Sequence, residues 1–440
     1  MIAAYIKFTI IVLFLSITLS AKGEDAVCPK VKIDSIVVKG NTITGKNVIL
    51  NELNFTKGDS VDSNKIKYFR ERIFSLGLFS SVELKIDNIN NRNILQINVE
   101  ESWYIYPYPY LALKDRDIKK ISVGLDLQIK NFQGRNETLK AKVLLGYDPG
   151  FSLVYIKPAI DDKGKYSLAF ETGYYKTSNK NNGVLNLLNN VNFKQDFLYF
   201  YSSIGRRLNI YSRITLMLGY EYIQSPFYKE FINISGGRID RIPSIGIDYN
   251  YDTRDLSQFP TEGILMDAAM VEKGIGLSGI NYQVFTAEYR QFISFGDLIT
   301  KYRIFSRDVF GSVIPLFDYS YLGYGERIRG HYNSEEEGRY LHKASIELTY
   351  PILKQFNLDL DFIPIIPNSL LRYRVGLYAQ LFGETGTVLQ KYQKISLKNL
   401  SNGFGCGLTF LILPYNIVRT EIAFNEKFKS QFIFDLGISF

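Results

Sequence analysis

The chain has 440 residues, of which 46% are hydrophobic and 22% are charged, and it contains 32 Tyr and 31 Phe against a single Trp. This length suits two or three domains, and the lack of several apolar runs of about 20 residues excludes a helical membrane protein. Abundant aromatic residues together with 34 Gly indicate many short strands and turns. The net charge of +8 comes from scattered basic residues, which does not favour nucleic acid as a partner.

The first residues are typical of an export signal. Lys7 precedes an apolar run from Phe8 to Leu19, and Ser20 and Ala21 are small residues that suit cleavage. Because this run is too short to span a bilayer, we predict a removed signal peptide over residues 1–21. If the mature chain lies in a membrane, it must do so as a closed β-barrel, since it offers no further apolar helix.

Residues 30–101 predict an independent α+β module with the order β-α-α-β-β. A first strand in KIDSIVVKGN stops at a Gly-Asn turn, and a short helix follows within GKNVILNELN. A second helix can be capped by Asp62 or Ser63 and ended by Gly77. SSVELKID and NILQINVEE then alternate as two strands. The apolar face of the second helix would consist of Ile66, Phe69, Ile73 and Leu76.

From Trp103 onward, the pattern changes to strand after strand with a period of two residues. KKISVGLDLQIK, for example, places Ile121, Val123 and Leu125 on one face, and TLKAKVLLGY, SRITLMLGYEY, HKASIELTY and QFIFDLGISF repeat this alternation. The pattern allows two interpretations. One is a soluble β-sandwich with a single wet face, and the other is a transmembrane barrel that is apolar towards lipid and polar towards its lumen.

The barrel is the favoured interpretation of residues 103–440. The export signal supports it, and the segment is large for one sandwich. The second face also carries charges such as Glu347, Arg374 and Asp435, which suit a water-filled lumen. Allowing about ten residues for each strand, plus a connection, gives on the order of sixteen antiparallel strands.

Several segments of the chain match the pattern of a known family. These are the module of residues 30–101, YDTRDLSQFPTEG (251–263), GSVIPLFDYSYLGYGERIRGHY (311–332), LFGETG (381–386) and the final Phe440. In this order and spacing, the chain resembles the BamA/TamA superfamily of outer-membrane assembly and translocation barrels, the bacterial surface antigen family. The module at residues 30–101 resembles a single POTRA domain.

The resemblance implies a lid loop that folds back into the barrel lumen. Arg329 would pair there with Glu384, because a guanidinium in a narrow lumen needs a carboxylate partner. Gly330 would supply a backbone conformation closed to other residues, and Phe382 and Gly386 belong to the strand motif around Glu384. Glu384 stands where the family usually has Asp, and His331 stands where an aromatic residue usually follows the glycine, although Tyr332 is next. The alternative for Arg329 is a solvated loop arginine.

Two further groups of residues follow from the resemblance. Asp252, Arg254, Asp255 and Gly263 belong to the family's hairpin motif, where they either satisfy the turn locally or take part in client handling. The last strand contains Gly437 and ends at Phe440. It is either simply the last lipid-facing strand or also a signal for barrel insertion. The first and last strands would close the barrel at a weak seam, to which a client strand could add.

The sequence offers no sign of catalysis. His331 and His342 are the only histidines, and no nucleophile elbow, P-loop or dinucleotide motif is present. Cys28 and Cys406 lie far apart in the sequence, and nothing supports a disulfide between them. We therefore predict no catalytic residue, no metal and no cofactor.

The expected function is assembly of outer-membrane proteins or polypeptide translocation, with the N-terminal domain in the periplasm of a Gram-negative-type bacterium. Clients would be engaged by the POTRA edge and the barrel seam. The expected partners are the outer-membrane lipid bilayer and unfolded or exported polypeptides, with periplasmic accessory proteins as further candidates. The alternative is a dedicated secretion pore or passive channel for a single partner, and an outer-membrane enzyme is a remote third.

Overall fold

A computed structural model of the chain describes residues 29–113, 120–178, 193–230, 232–277, 280–323, 325–331, 334–363 and 367–437. The predicted signal peptide, Cys28, Tyr332 and Phe440 lie outside these ranges. Within them, no helix has both the length and the apolar character needed to cross a bilayer.

The first unit of the structure is the predicted α+β module. Helices α1 and α2 span Lys46–Leu50 and Ser63–Phe74, and strands β1 to β5 span Val31–Lys32, Ser35–Lys39, Ser60–Val61, Phe79–Ile89 and Arg92–Glu101. β2 runs parallel to β5, and β5 pairs antiparallel with β4. The predicted order β-α-α-β-β is confirmed, and the structure adds the small pair formed by β1 and β3.

Local sequence signals explain where helix α2 begins and ends. The Asp62 carboxylate accepts a hydrogen bond of 2.8 Å from the Lys65 backbone N–H, which caps the first turn. The helix ends at Phe74, and Gly77 follows with a φ of +66°, a conformation that glycine adopts without strain. Leu76, predicted on the helical face, therefore lies just beyond the helix.

The core of this domain lies between its helices and the sheet of β2, β5 and β4. The rings of Phe55 and Phe69 meet edge to face with their centroids 5.3 Å apart. The other large buried side chains are apolar and come from both helices, from β4 and β5 and from connecting segments, namely Ile33, Ile49, Ile73, Phe74, Leu78, Phe79, Leu95 and Ile97.

The second unit is one sheet of sixteen strands. In chain order they span Ile105–Leu113, Ile121–Phe132, Glu137–Gly146, Gly150–Lys157, Tyr166–Ser178, Lys194–Arg207, Ser212–Gln224, Ile239–Asp252, Gly263–Lys273, Tyr282–Phe295, Leu298–Gly311, Tyr340–Asp359, Arg372–Leu389, Ser401–Leu413, Asn416–Asn425 and Ser430–Leu436. The first eleven are β6 to β16 and the last five are β19 to β23. Each pairs antiparallel with its neighbours in this order, so the predicted architecture and strand number are confirmed.

Side chains alternate between the two faces of this sheet. On β12, Leu216 and Leu218 are 47% and 49% exposed on the outer face. On β19, Glu347 and Thr349 are both 0% exposed, although they are polar. An apolar outer face and a polar, filled interior are typical of a membrane-spanning barrel and opposite to a sandwich with a dry core. The β-sandwich alternative is therefore wrong.

The first and last strands of the sheet do not pair with each other in the described residues, although β6 lies close to the turn between β21 and β22. β6 pairs only with β7, and β23 pairs only with β22. The ring centroids of Tyr106 on β6 and Tyr415, in the turn between β21 and β22, are nevertheless 6.3 Å apart. The first strand therefore lies near the C-terminal strands of the sheet, as expected for a sheet rolled into a barrel.

The N-terminal domain packs against one end of the barrel, which we call the domain-side end; the opposite end is the far end. Its apolar core continues into barrel residues, including Leu256, Phe259 and Tyr378. Polar contacts to the turns of this end join Gly45 to Gly134, Tyr68 to Thr253, Ser75 to Ser257 and Glu71 to Arg374. The domain thus covers the domain-side mouth of the barrel.

Candidate functional site

The lid loop connects β16 to β19 at the far end of the barrel and spans residues 312–339. It begins with a 3-10 turn, Leu316–Asp318, and contains two short antiparallel strands, β17 (Ser320–Leu322) and β18 (Glu336–Gly338). Between these strands, the chain descends into the lumen and carries Arg329 at its tip. Arg329 is only 8% exposed, so it is not a solvated loop arginine.

The structure brings Arg329 and Glu384 together. The Arg329 backbone N–H donates to Glu384 Oε2 at 2.8 Å, and its Nε donates to Oε1 of the same carboxylate at 3.0 Å. The guanidinium also lies over the Phe382 ring, 3.5 Å from its centroid. Because the longer glutamate bonds both the backbone and the guanidinium, it fits the position where the family usually has aspartate.

Two more carboxylates complete what we call the Arg329 site. Arg329 Nη1 donates to Glu421 at 2.8 Å and to Glu347 at 3.3 Å. Each of these three glutamates, on β19, β20 and β22, also has another cation nearby. Lys301 lies 2.8 Å from Glu347, Lys343 lies 3.8 Å from Glu384 and Arg419 lies 2.9 Å from Glu421. The lid tip is therefore held by a buried network of nearly balanced charge, which is how ionised groups persist in an interior.

Glycines make room for the lid tip. Gly330 has a φ of +94°, and a Cβ at this position would lie 2.6 Å from the Phe424 carbonyl oxygen. On the wall, a Cβ at Gly403 would lie 1.7 Å from the Arg329 carbonyl oxygen, and one at Gly386 would lie 2.9 Å from Ile328. The loop thus reaches its position because three close approaches are kept free of side chains.

His331 follows the tip and is held by polar contacts rather than by ring stacking. Its Nε2 lies 2.7 Å from a Glu426 carboxylate oxygen and 3.0 Å from the Asn402 carbonyl oxygen. Asn402 lies at the start of β21 and Glu426 directly follows β22, so both partners are at the far end. His331, which stands where the family usually has an aromatic residue, therefore makes polar contacts at this position.

The hairpin motif lies at the opposite end of the barrel from the lid loop. Arg254 donates to the Asp252 carboxylate at 2.8 and 2.9 Å, and Asp255 accepts from the Thr261 backbone N–H at 2.9 Å. Gly263 has a φ of +107° at the start of β14. These four motif residues shape the turn between β13 and β14, as the local alternative expects.

The same turn receives helix α2 of the N-terminal domain. Arg72 donates to the Asp252 carbonyl oxygen at 3.3 Å, and the Tyr68 hydroxyl donates to the Thr253 carbonyl oxygen at 3.2 Å. Arg374, predicted as a lumen charge, instead ion-pairs with Glu71 of α2 at 2.5 Å. The hairpin motif therefore forms part of a docking surface for the domain.

The C-terminal strand carries the remaining predicted residues. Gly437 has a φ of +106°, and its carbonyl oxygen accepts a hydrogen bond of 2.8 Å from Arg419 Nε. Arg419 also pairs with Asp435 at 2.7 Å. Through Arg419 and its partner Glu421, the last strand is connected to the Arg329 site.

Sequence reasoning missed Glu421, Lys301 and Arg419 as members of the Arg329 site. Glu347 was assigned to the lumen but not to the lid. The alternation of NIVRTEIAF places Arg419 and Glu421 on one face of β22, and this was the available signal for them. The alternation shows which face of β22 these side chains share, but it does not show that they contact Arg329. That contact depends on how the strands surround the lid loop.

Comparison with known proteins agrees with this architecture. The model of the Omp85 superfamily domain matches residues 131–440, and that of the POTRA domain, described as a surface antigen variable number repeat, matches residues 31–102. No curated protein matches the chain.

Many solved structures are similar in fold, and two of them serve for comparison. BamA from Haemophilus ducreyi lacking POTRA domains 1–3 has a TM-score of 0.52 and 16% identity, over 93% of this chain and 84% of that one. CdiB from Escherichia coli has a TM-score of 0.52 and 9% identity, over 95% of this chain and 91% of that one.

Barrels of this superfamily that carry POTRA domains are outer-membrane proteins, with the POTRA domain in the periplasm. The family supports, in general terms, a role in inserting or translocating proteins at the outer membrane. A single POTRA domain precedes the barrel in the matched residues, and the barrel match covers more than half of the chain. The chain belongs to the Omp85 superfamily.

Proposed function

We propose that this protein inserts client proteins into the outer membrane or translocates polypeptides across it, with its POTRA domain facing the periplasm. The observation that carries the proposal is the Arg329 site inside a sixteen-stranded barrel whose edge strands are unpaired with each other in the described residues. A barrel built only as a passive pore needs neither a lid held by a buried guanidinium nor a weak seam.

Two strand edges are available to clients in this scheme. β2 of the POTRA domain pairs with β5 on one side, and no described strand pairs with its other side. β23 likewise pairs only with β22 among the described residues. An extended client segment can add to such an edge through backbone hydrogen bonds, which depend little on its sequence.

The scheme requires no nucleotide, cofactor or catalytic residue. A client strand gains about 25 cal/mol for each Å² of apolar surface that it buries in lipid. It also satisfies its backbone groups once it pairs, which lipid alone cannot do. The protein then acts by offering a paired edge during insertion, and we assign it no enzymatic role.

The alternative is a dedicated secretion pore for one partner protein. The observation that favours it is the single POTRA domain in residues 31–102, which offers one small docking edge. Depletion of the protein separates the two functions. Loss of many unrelated outer-membrane proteins, measured by quantitative proteomics of the membrane, supports the assembly role. Loss of a single secreted protein supports the dedicated pore, and an unchanged proteome and secretome contradicts both.

Photo-crosslinking in cells tests the edges directly. A photoreactive residue is placed at Val37 on β2 or at Phe434 on β23, and a matched control at Leu218, which is 49% exposed on the lipid face of β12. We expect newly made outer-membrane or exported polypeptides to be captured at Val37 and Phe434 but not at Leu218. Equal capture at all three positions would show that the edges have no special role.

A further inference from the structure

A second polar cluster holds the first limb of the lid loop. Asp318 lies at the end of the 3-10 turn and is 9% exposed. Its carboxylate is 2.7 Å from Lys273 Nζ on β14 and 3.2 Å from Arg307 Nη2 on β16, and it accepts a hydrogen bond from the Tyr282 hydroxyl on β15. Three neighbouring wall strands thus converge on one lid carboxylate.

The barrel residues that contact Asp318 are themselves held in place by further polar contacts. Lys273 Nζ lies 2.8 Å from Glu221 on β12, and Glu221 accepts a hydrogen bond of 2.6 Å from the Tyr201 hydroxyl. Arg307 also donates to the Asp318 carbonyl oxygen at 3.0 Å, so that both the backbone and the side chain of Asp318 are held. Two cations and two carboxylates balance in charge, and the loss of Asp318 leaves an uncompensated cation.

The Asp318 cluster and the Arg329 site are separate and opposite in sign. The first places a lid carboxylate on a cationic wall formed by β14 and β16. The second places a lid guanidinium on an acidic wall formed by β19, β20 and β22. No described side chain contacts both charged groups, and they lie on different limbs of the loop.

We propose that Asp318 is a second anchor of the lid loop, a positioning residue that holds the first limb independently of Arg329. Displacing the whole lid then requires both anchors to break, whereas breaking one frees only its own limb. This inference rests on the proposed function, in which the docked lid is part of the client-handling barrel. It assigns Asp318, Lys273 and Arg307 a role that none of the sequence motifs suggested.

The test uses the full chain in lipid nanodiscs and hydrogen–deuterium exchange measured by mass spectrometry. In Asp318→Asn, we expect exchange of residues 312–323 to rise by about 10-fold, the change expected when one charge-assisted hydrogen bond is weakened, with residues 325–331 little affected. In Arg329→Ala, exchange should rise at residues 325–331 and change little at residues 312–323. The double variant should free both segments and raise channel conductance in planar bilayers well above that of either single variant.

The matched control is Asp308→Asn. Asp308 has 8% exposure and lies 3.7 Å from His342. It follows Arg307 directly on β16 and so points to the opposite face of the strand, and neutralising it should leave lid exchange unchanged. Tyr282→Phe removes only the hydroxyl that donates a hydrogen bond to Asp318. It provides a milder second variant if Asp318→Asn does not fold.

Three outcomes would contradict the proposal that Asp318 is a second anchor. They are unchanged exchange at residues 312–323 in both Asp318→Asn and Tyr282→Phe, a uniform rise across the barrel, and an equal lid response in Asp308→Asn. The proposed function fails in a different way, namely if the double variant frees the lid but client assembly and secretion stay at the wild-type level. The exchange data and the client assays therefore separate the two failures.

Discussion

At the scale of single residues, Arg329 is the side chain on which the lid tip most depends. Arg329→Ala removes the cation shared by Glu384, Glu347 and Glu421, and it weakens lid docking by about 3–5 kcal/mol because buried carboxylates lose their partner. We expect the barrel to remain folded, as judged by heat-modifiable gel migration, while client assembly falls at least about tenfold.

Arg329→Lys is the control for charge. Lysine keeps the positive charge but loses the planar fork that reaches both Glu384 and Glu421, and it loses most of the contact with the Phe382 ring. Its activity should therefore lie between those of wild type and Arg329→Ala. Wild-type activity in the alanine variant would contradict any role of this residue in the function.

Gly403 tests whether close approach of the lid tip to the wall matters. A Cβ at Gly403 would lie 1.7 Å from the Arg329 carbonyl oxygen, so Gly403→Ala must displace the tip or the strand. Gly383 on the neighbouring strand is the matched control, because its nearest atom would be an Ile346 methyl carbon at an ordinary 3.7 Å.

We expect Gly403→Ala to increase deuterium exchange at residues 325–331 and to lower client assembly, whereas Gly383→Ala should resemble wild type in both measurements. If both alanine variants retained wild-type lid exchange, the tip would have to be more mobile than its packing indicates.

At the scale of elements, the two-residue alternation was sufficient to predict the strands, because each barrel strand has one face in lipid and the other in a polar lumen. It could not predict that Arg329 meets Glu421, which lies 92 positions further along the chain. That contact depends on the path of the lid loop across the wall, and local pattern carries no information about it.

The sequence also could not predict which face of helix α2 docks on the barrel. Glu71 is polar and yet only 7% exposed, because it pairs with Arg374 of β20 and with Arg70. A helical pattern assigns such a residue to solvent. The predicted start of α2 at Asp62 was correct, since capping depends on neighbours in the chain, whereas the helix ends at Phe74, three residues before the predicted Gly77. The burial of Glu71 depends on another domain.

Glu101, the last residue of β5, fastens the segment of the POTRA domain that touches the barrel. Its carboxylate accepts hydrogen bonds from the backbone N–H groups of Thr44 at 2.6 Å and of Ile43 at 3.0 Å. Partial burial acts to raise the pKa of Glu101, but the hydrogen bonds from Thr42, Thr44 and Ile43 outweigh it and hold the pKa below its ordinary value.

A carboxyl with a lowered folded-state pKa stabilises the fold at pH values above its ordinary pKa of about 4.5, and this contribution is lost as the pH falls through the folded-state value. We therefore expect Glu101→Gln to lower the stability of the POTRA domain by about 1 kcal/mol at pH 7. Thermal unfolding between pH 7 and 3 should show a weaker acid dependence in this variant. An unchanged pH dependence would contradict the role of the carboxylate.

At the scale of the whole molecule, two obstructions close the barrel. The POTRA domain covers the domain-side mouth through its apolar core and several turn contacts, and the lid loop occupies the lumen. While α2 remains docked on the turn that carries Ser257, the POTRA domain lies across the domain-side mouth, which is the entry to the lumen on the POTRA side. We therefore expect the domain to move relative to the barrel during function.

A reversible crosslink tests this movement. The Ser75 hydroxyl oxygen accepts a hydrogen bond of 2.9 Å from the Ser257 backbone N–H, so cysteines at these two positions can be joined by a short, reducible bifunctional reagent. Replacing both native cysteines, Cys28 and the exposed Cys406, with alanine removes competing thiols. We expect the joined protein to fold normally but to lose most client assembly, and reduction should restore it.

The controls are the two single-cysteine variants, Ser75→Cys and Ser257→Cys, treated with the same reagent. Each should keep full activity, which assigns any loss to the tether rather than to the modification. If the tethered protein assembled clients as well as the reduced one, entry would not pass beneath the POTRA domain. Clients would then have to reach the seam from the side of the barrel, since the tether keeps the POTRA domain packed against the domain-side mouth.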